Sequence, residues 1–154
     1  MEISSGMNEK SRKVVSDGLS KLLAETYALY LKTQNFHWNV VGSDFFALHL
    51  LFEKQYEELS GAIDEIAERI RALGAHVDAT FSGFKKLSSI SEEGKLKSSN
   101  EMIKHLVKAN ECVICLARKL TEVAEKERDQ ATLDLLARRL GAHEKSAWML
   151  RSHL

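Results

Sequence analysis

The chain contains no proline. Proline breaks helix interiors and marks many turns, so its absence over 154 residues favours long helices with few connections. Aromatic residues make up only 7% of the chain, which leans away from an all-β fold. Hydrophobic residues make up 44%, enough to build a core in a single domain of this length.

Hydrophobic periodicity divides the chain. Residues 1–11 are polar and aperiodic and read as a flexible tail, leaving 12–154 as the domain. From Arg12 to Asn39 apolar residues recur at helical spacing, including Val15, Leu19, Leu22, Leu23, Tyr27, Tyr30 and Leu31. Gly42 breaks the pattern, and Ser43 or Asp44 suits the N-cap of a second helix over 45–73, closed by Gly74. Residues 79–87 suit a short helix. Ser98 and Glu101 form a capping box that opens another long helix to about Glu127. Asp129 can cap a last helix to about Ser152. Four long helices with one long connection read as an all-α four-helix bundle with a crossover.

Charge and cysteines narrow the function classes. Lysine plus arginine equals aspartate plus glutamate at 22 each, so the basic excess of a dedicated nucleic-acid binder is missing. No secretory leader pattern and no membrane-spanning run stand out, so the expected compartment is the cytoplasm. Cys112 and Cys115 form a Cys-x-x-Cys inside a helical pattern, with no preceding strand and no further zinc ligands. They are expected to be buried structural cysteines.

The second helix carries the most informative constellation. His49, Glu53, Asp64 and Glu68 project at about 0°, 40°, 60° and 100° around its axis, so they share one flank. A solvated charged stripe would look the same, and Glu57, Glu58, Glu65 and Arg69 belong to such a surface. From His49 to Asp64 is about 22 Å of helix, too far for one metal within one chain. Two copies packed antiparallel about a two-fold axis would bring His49 and Glu53 of one to Asp64 and Glu68 of the other. His37, near the end of the first helix, can join His49. Two imidazoles with two or three carboxylates suit a first-row metal, iron before zinc or manganese. The intrabundle di-iron site of ferritin-like proteins uses two Glu-x-x-His motifs, and this chain contains none.

At these residues the sequence resembles the Dps family, mini-ferritins that protect bacterial DNA from starvation and peroxide stress. The resemblance is carried by NFHWNV, FFALH, FE, DEIAERIRALG and HEKSAWMLRS, and runs from about Gly18 to the end. It implies a ferritin-like bundle with a short helix in the long connection and a hollow shell of twelve subunits. It implies ferroxidase sites at the two-fold interfaces, with His37 and His49 from one subunit and Asp64 and Glu68 from its neighbour. It implies that ferrous iron is oxidised, preferentially by hydrogen peroxide over oxygen, and stored as a ferric mineral. Position 53 is often aspartate in the family and here is Glu53, whose extra methylene changes its reach.

Further roles follow from the resemblance. Trp38 would lie beside the site as a donor of stray electrons, or simply pack there. Asp129 and Asp134 would line an iron-entry pore at the three-fold axis, or serve as a cap and surface charge. Relatives condense DNA through lysine-rich tails. Here residues 1–13 hold Lys10, Arg12 and Lys13 against Glu2 and Glu9, a small excess that only multivalency could make effective. The rival reading is a DNA-compacting protein with a vestigial iron site.

Overall fold

The computed structural model describes residues 3–95 and 98–154. They form five helices and no strand: α1 (Glu9–Asn39), α2 (Phe45–Ala72), α3 (Phe81–Leu87), α4 (Ser99–Lys126) and α5 (Gln130–Arg151). The short α3 lies in the long connection, so the architecture is the expected four-helix bundle. α1 packs on α2, α4 packs on α5, and α1 joins the two hairpins by also packing on α4. No helix among the described residues is long and apolar enough to cross a membrane.

The core is built where the apolar stripes of the long helices meet. Leu22 and Leu29 of α1, Phe52, Ile66 and Ile70 of α2, Leu106 of α4, and Leu136 and Leu150 of α5 are fully buried. Each such side chain contributes roughly 1.5–3 kcal/mol relative to exposure.

Helix ends follow local chemistry. The Ser98 hydroxyl accepts from Glu101 N (3.3 Å), and the Glu101 carboxylate accepts from Ser98 N (3.1 Å), completing the capping box. Thr80 caps α3 by accepting from Gly83 N. Gly74 follows α2 at φ +92°, a left-handed conformation that side chains disfavour. Asp44 occupies the N-cap of α2, but its side chain makes no capping hydrogen bond.

Two expectations need correction. α1 starts at Glu9, three residues before Arg12, because Asn8 caps it by accepting from Ser11 N at 2.8 Å. The preceding segment is held as well: Arg12 donates to the Met7 carbonyl (2.6 Å), and Ile3 packs over Gly74. The cysteines are not both buried: Cys112 is half-buried and Cys115 exposed. The inward stripe of α4 runs through Leu106, Val113, Ala117, Leu120 and Ala124, and the cysteines flank it.

The long connection is fastened to α1 by a buried carboxylate. Glu25 accepts from Ser88 Oγ (2.7 Å), from Ser89 N and Oγ (2.7 and 2.6 Å), and from Ile90 N (3.2 Å). Farther along, buried Lys32 pairs with Glu93, which also meets His105 Nδ1 at 3.0 Å. Burial alone would raise the Glu93 carboxyl. Hydrogen bonds from Lys32 and Ser91, with the charges of Lys32 and His105, outweigh burial and hold it below its ordinary value.

Candidate metal centre

The turn between α1 and α2 brings His37 and His49 face to face. α1 carries His37 in its last turn, and Val40 is buried as the chain leaves the helix. Gly42 then adopts φ +119°, a backbone conformation that side chains disfavour, and Phe45 N donates to its carbonyl as α2 begins. The reversal sets the two imidazoles parallel, with ring centroids 3.9 Å apart and planes inclined by 18°.

The histidines also bond to each other's backbone. His37 Nδ1 donates to the His49 carbonyl at 2.9 Å, and His49 Nδ1 donates to the His37 carbonyl at 2.9 Å. A carbonyl oxygen can only accept, so both Nδ1 atoms carry the proton. Neutral rings in that tautomer leave both Nε2 lone pairs unspent, the state that binds a metal. The bond to His37 O also serves α1, because the last four carbonyls of a helix lack intrahelical partners.

The other expected ligands are distributed along α2. Glu53 is half-buried one turn beyond His49. Asp64 and Glu68 are exposed on the same helix, and Asp64 lies about 22 Å along the axis from His49. Among the described residues of the single chain, no three His, Cys, Asp or Glu side chains converge on a point that could hold a metal. The structure therefore joins His37 to His49 within one chain and leaves Asp64 and Glu68 on a separate exposed stretch.

Tyr56 was not singled out by the sequence, yet its ring meets His37 edge-on, with centroids 5.2 Å apart at 74°. Burial, then the carboxylates of Glu53 and Glu57 and the Tyr30 ring, push its phenol above the ordinary value. On the other side Phe45 stacks on His49 at 5.0 Å. The clue lay in α2 itself: Phe45, His49 and Tyr56 recur at spacings of four and seven, on one helix face. Trp38 is 64% exposed and makes no ring contact with either histidine among the described residues. It lines a groove of about 690 Å³ between α1 and α3.

Within the single chain Asp129 is an anchored helix cap. Asp129 is buried, and its two oxygens accept from Arg69 Nη2 at 2.7 and 2.8 Å. They also cap α5, accepting from Thr132 N (3.1 Å) and Thr132 Oγ1 (2.6 Å). Burial raises its carboxyl, but the hydrogen bonds from Arg69 and Thr132 and the Arg69 charge together lower it below the ordinary value. Both carboxylate oxygens are thus engaged within the subunit. Asp134 is exposed and pairs with Arg138, which also reaches Glu65.

Comparison with known proteins identifies the family. The ferritin-like domain family matches residues 16–154. The chain is 39% identical over 142 residues to the DNA protection during starvation protein 2 of Bacillus anthracis, covering 92% of this chain and 97% of that protein. The crystal structure of a Dps protein from Bacillus brevis superimposes with a TM-score of 0.90 at 35% identity, covering 96% of this chain and 99% of that one. A Dps protein from Vibrio cholerae O1, described as a member of a broad superfamily of ferritin-like diiron-carboxylate proteins, superimposes at 0.93 with 31% identity, covering 99% and 96%. With its ferritin-like bundle and these relatives along nearly its whole length, the chain belongs to the Dps family.

Proposed function

We propose that this protein is a ferroxidase and iron-storage mini-ferritin that oxidises Fe(II), preferentially with hydrogen peroxide, and keeps the ferric product inside a dodecameric shell. The observation that carries this reading is the reciprocal pair His37–His49, whose bonds through Nδ1 leave both Nε2 lone pairs for a metal. A second copy of the chain, packed antiparallel about a two-fold axis, supplies Asp64 and Glu68, with Glu53 beside the histidines. Such an isologous arrangement repeats the site twice per dimer.

The donor set suits the chemistry. Carboxylate oxygens stabilise the ferric product more than the ferrous substrate, because a hard anion favours the higher charge. Two ferrous ions in one site hand peroxide both of its electrons in one event, so no hydroxyl radical escapes. Iron enters past exposed carboxylates such as Asp134. DNA is protected in the cytoplasm by removal of iron and peroxide together. Direct DNA binding draws little support from the N-terminal segment: Arg12 is held by the Met7 carbonyl, and Lys13 pairs with Asp17 at 2.7 Å.

The test is Fe(II) oxidation by peroxide and by oxygen, with iron counted per shell, for the parent and the His37→Ala and Asp64→Ala variants. Loss of fast oxidation in both variants is expected. Parent-like rates in either one would remove that residue from the site. A gel shift at physiological salt, expected to be negative, distinguishes the DNA-compacting alternative.

A further inference from the structure

The chain has three tyrosines, and all three stand in one connected row of rings that starts at the histidine pair. Tyr56 meets His37 edge-on at 5.2 Å. Tyr30 of α1 meets Tyr56 at 6.0 Å and 87°. Tyr27, one turn earlier, meets Tyr30 at 5.9 Å. Phe84 of α3 closes the row against Tyr27 at 4.8 Å. Phe45 lies at the opposite end, stacked on His49. Phenylalanine is far harder to oxidise than tyrosine, so the two phenylalanines bound a segment in which only the tyrosines can lose an electron.

We propose that Tyr56, Tyr30 and Tyr27 form an electron relay that supplies the missing electron when a single ferrous ion meets peroxide, and that carries the oxidising equivalent away from the site. The proposal rests on the ferroxidase reading above. Peroxide takes two electrons, and one Fe(II) gives only one. Tyr56 gives the second electron and also its phenol proton. Fe(II), hydrogen peroxide and the Tyr56 phenol become Fe(III), water, hydroxide and a neutral Tyr56 phenoxyl radical. Tyr30 then passes a hydrogen-atom equivalent to Tyr56, restoring its phenol, and Tyr27 does the same for Tyr30.

The far end of the row is accessible. Tyr27 lines the groove of about 690 Å³ between α1 and α3, together with Trp38 and Phe81. A small soluble one-electron reductant of the ascorbate or thiol class, entering that groove, returns an electron and a proton to Tyr27. Tyr30 receives a hydrogen bond from Gln34 Nε2 at 3.2 Å, which stabilises the oxygen of its phenoxyl form. Trp38 has no ring contact in this row, so the relay does not run through it.

The test loads the assembled protein anaerobically with one Fe(II) per site, adds peroxide, and freezes the mixture for electron paramagnetic resonance. With no tyrosine outside the row, any tyrosyl signal belongs to it. The parent is expected to give a tyrosyl radical, and Tyr56→Phe to lose it. Tyr27→Phe is expected to keep the radical but slow its decay by added ascorbate. Trp38→Phe is expected to keep the parent signal. Phenylalanine preserves the ring packing, and circular dichroism confirms the fold of each variant. If the parent oxidises iron but forms no tyrosyl radical, or Tyr56→Phe forms it undiminished, the relay alone is overturned. If the parent oxidises no iron, the site reading falls and the relay falls with it.

Discussion

Arg139 sets its Nη2 atom 3.3 Å from Nε2 of His143, and both side chains are buried inside the bundle. Asn110 of α4 donates its amide to the Leu106 carbonyl and presents its oxygen to His143 Nδ1 at 3.0 Å. The proton therefore sits on Nδ1, and Nε2 accepts from Arg139. Glu58 of α2 balances the guanidinium at 2.5 and 2.9 Å. Burial first, and then the Arg139 charge, lower the imidazole from 6.5 to about 3.

A pH dependence follows. Below about pH 6.5 the unfolded chain takes up a proton on this imidazole, while the folded chain does so only near pH 3. Between those values the unfolded state binds more protons, so stability falls as pH falls, by up to roughly 1.4 kcal/mol per pH unit from this group. Above pH 6.5 the group contributes no slope. Nuclear magnetic resonance of the ring carbons checks it: a folded-state His143 signal that titrates near 6.5 would refute the assignment.

Asp129→Ala removes a helix cap and leaves the Arg69 guanidinium with its Nε bond to Thr132 Oγ1 but without its charge partner. The expected loss is roughly 2–4 kcal/mol, since a cap alone contributes about 1 kcal/mol and a broken buried pair more. Denaturant unfolding measures it. Iron oxidation by the folded protein should keep the parent rate, because this carboxylate is engaged within the subunit. A slowed uptake at unchanged stability would place Asp129 on an iron-entry path.

Glu25→Ala leaves the Ser89 amide without its acceptor and the Ile90 amide with only Ser88 Oγ, and the expected cost is roughly 1–3 kcal/mol. The effect should be local first. Hydrogen exchange at those two amides should accelerate well beyond that of the α2 core. Uniform acceleration across the chain would show that the connection is held by other means.

Glu53→Ala is expected to keep the first iron of each site, because both histidines remain, and to lose the second. Anaerobic titration of Fe(II), followed by calorimetry, reads the stoichiometry. An unchanged count would take Glu53 out of the ligand set.

Much of this organisation was legible in the chain because it is written in local patterns. The Ser98–Glu101 box, Gly74 and the Asp129 cap each depend on residues within a few positions of one another. The flank holding His49, Glu53, Asp64 and Glu68 follows from helix periodicity. What escaped depends on contacts between distant segments. The Asp129 cap was readable, but not that Arg69, sixty residues earlier, claims the same oxygens. Tyr56 was not singled out, because only the α1–α2 turn lays His37 against it. Helical spacing alone placed the cysteines in the core, yet Cys112 and Cys115 lie one and two residues from the inward-facing Val113, which puts them on its flanks.

The crossed bonds between His37 and His49 run from ring to backbone, so each imidazole is held by an acceptor that no side-chain substitution removes. Loss of either ring leaves the other's Nδ1 with its carbonyl and takes away only the stacked face 3.9 Å from it. The tautomer of each ring is therefore written into the backbone of the α1–α2 reversal and not into its neighbour's side chain, so a substitution at one histidine leaves the other's tautomer fixed.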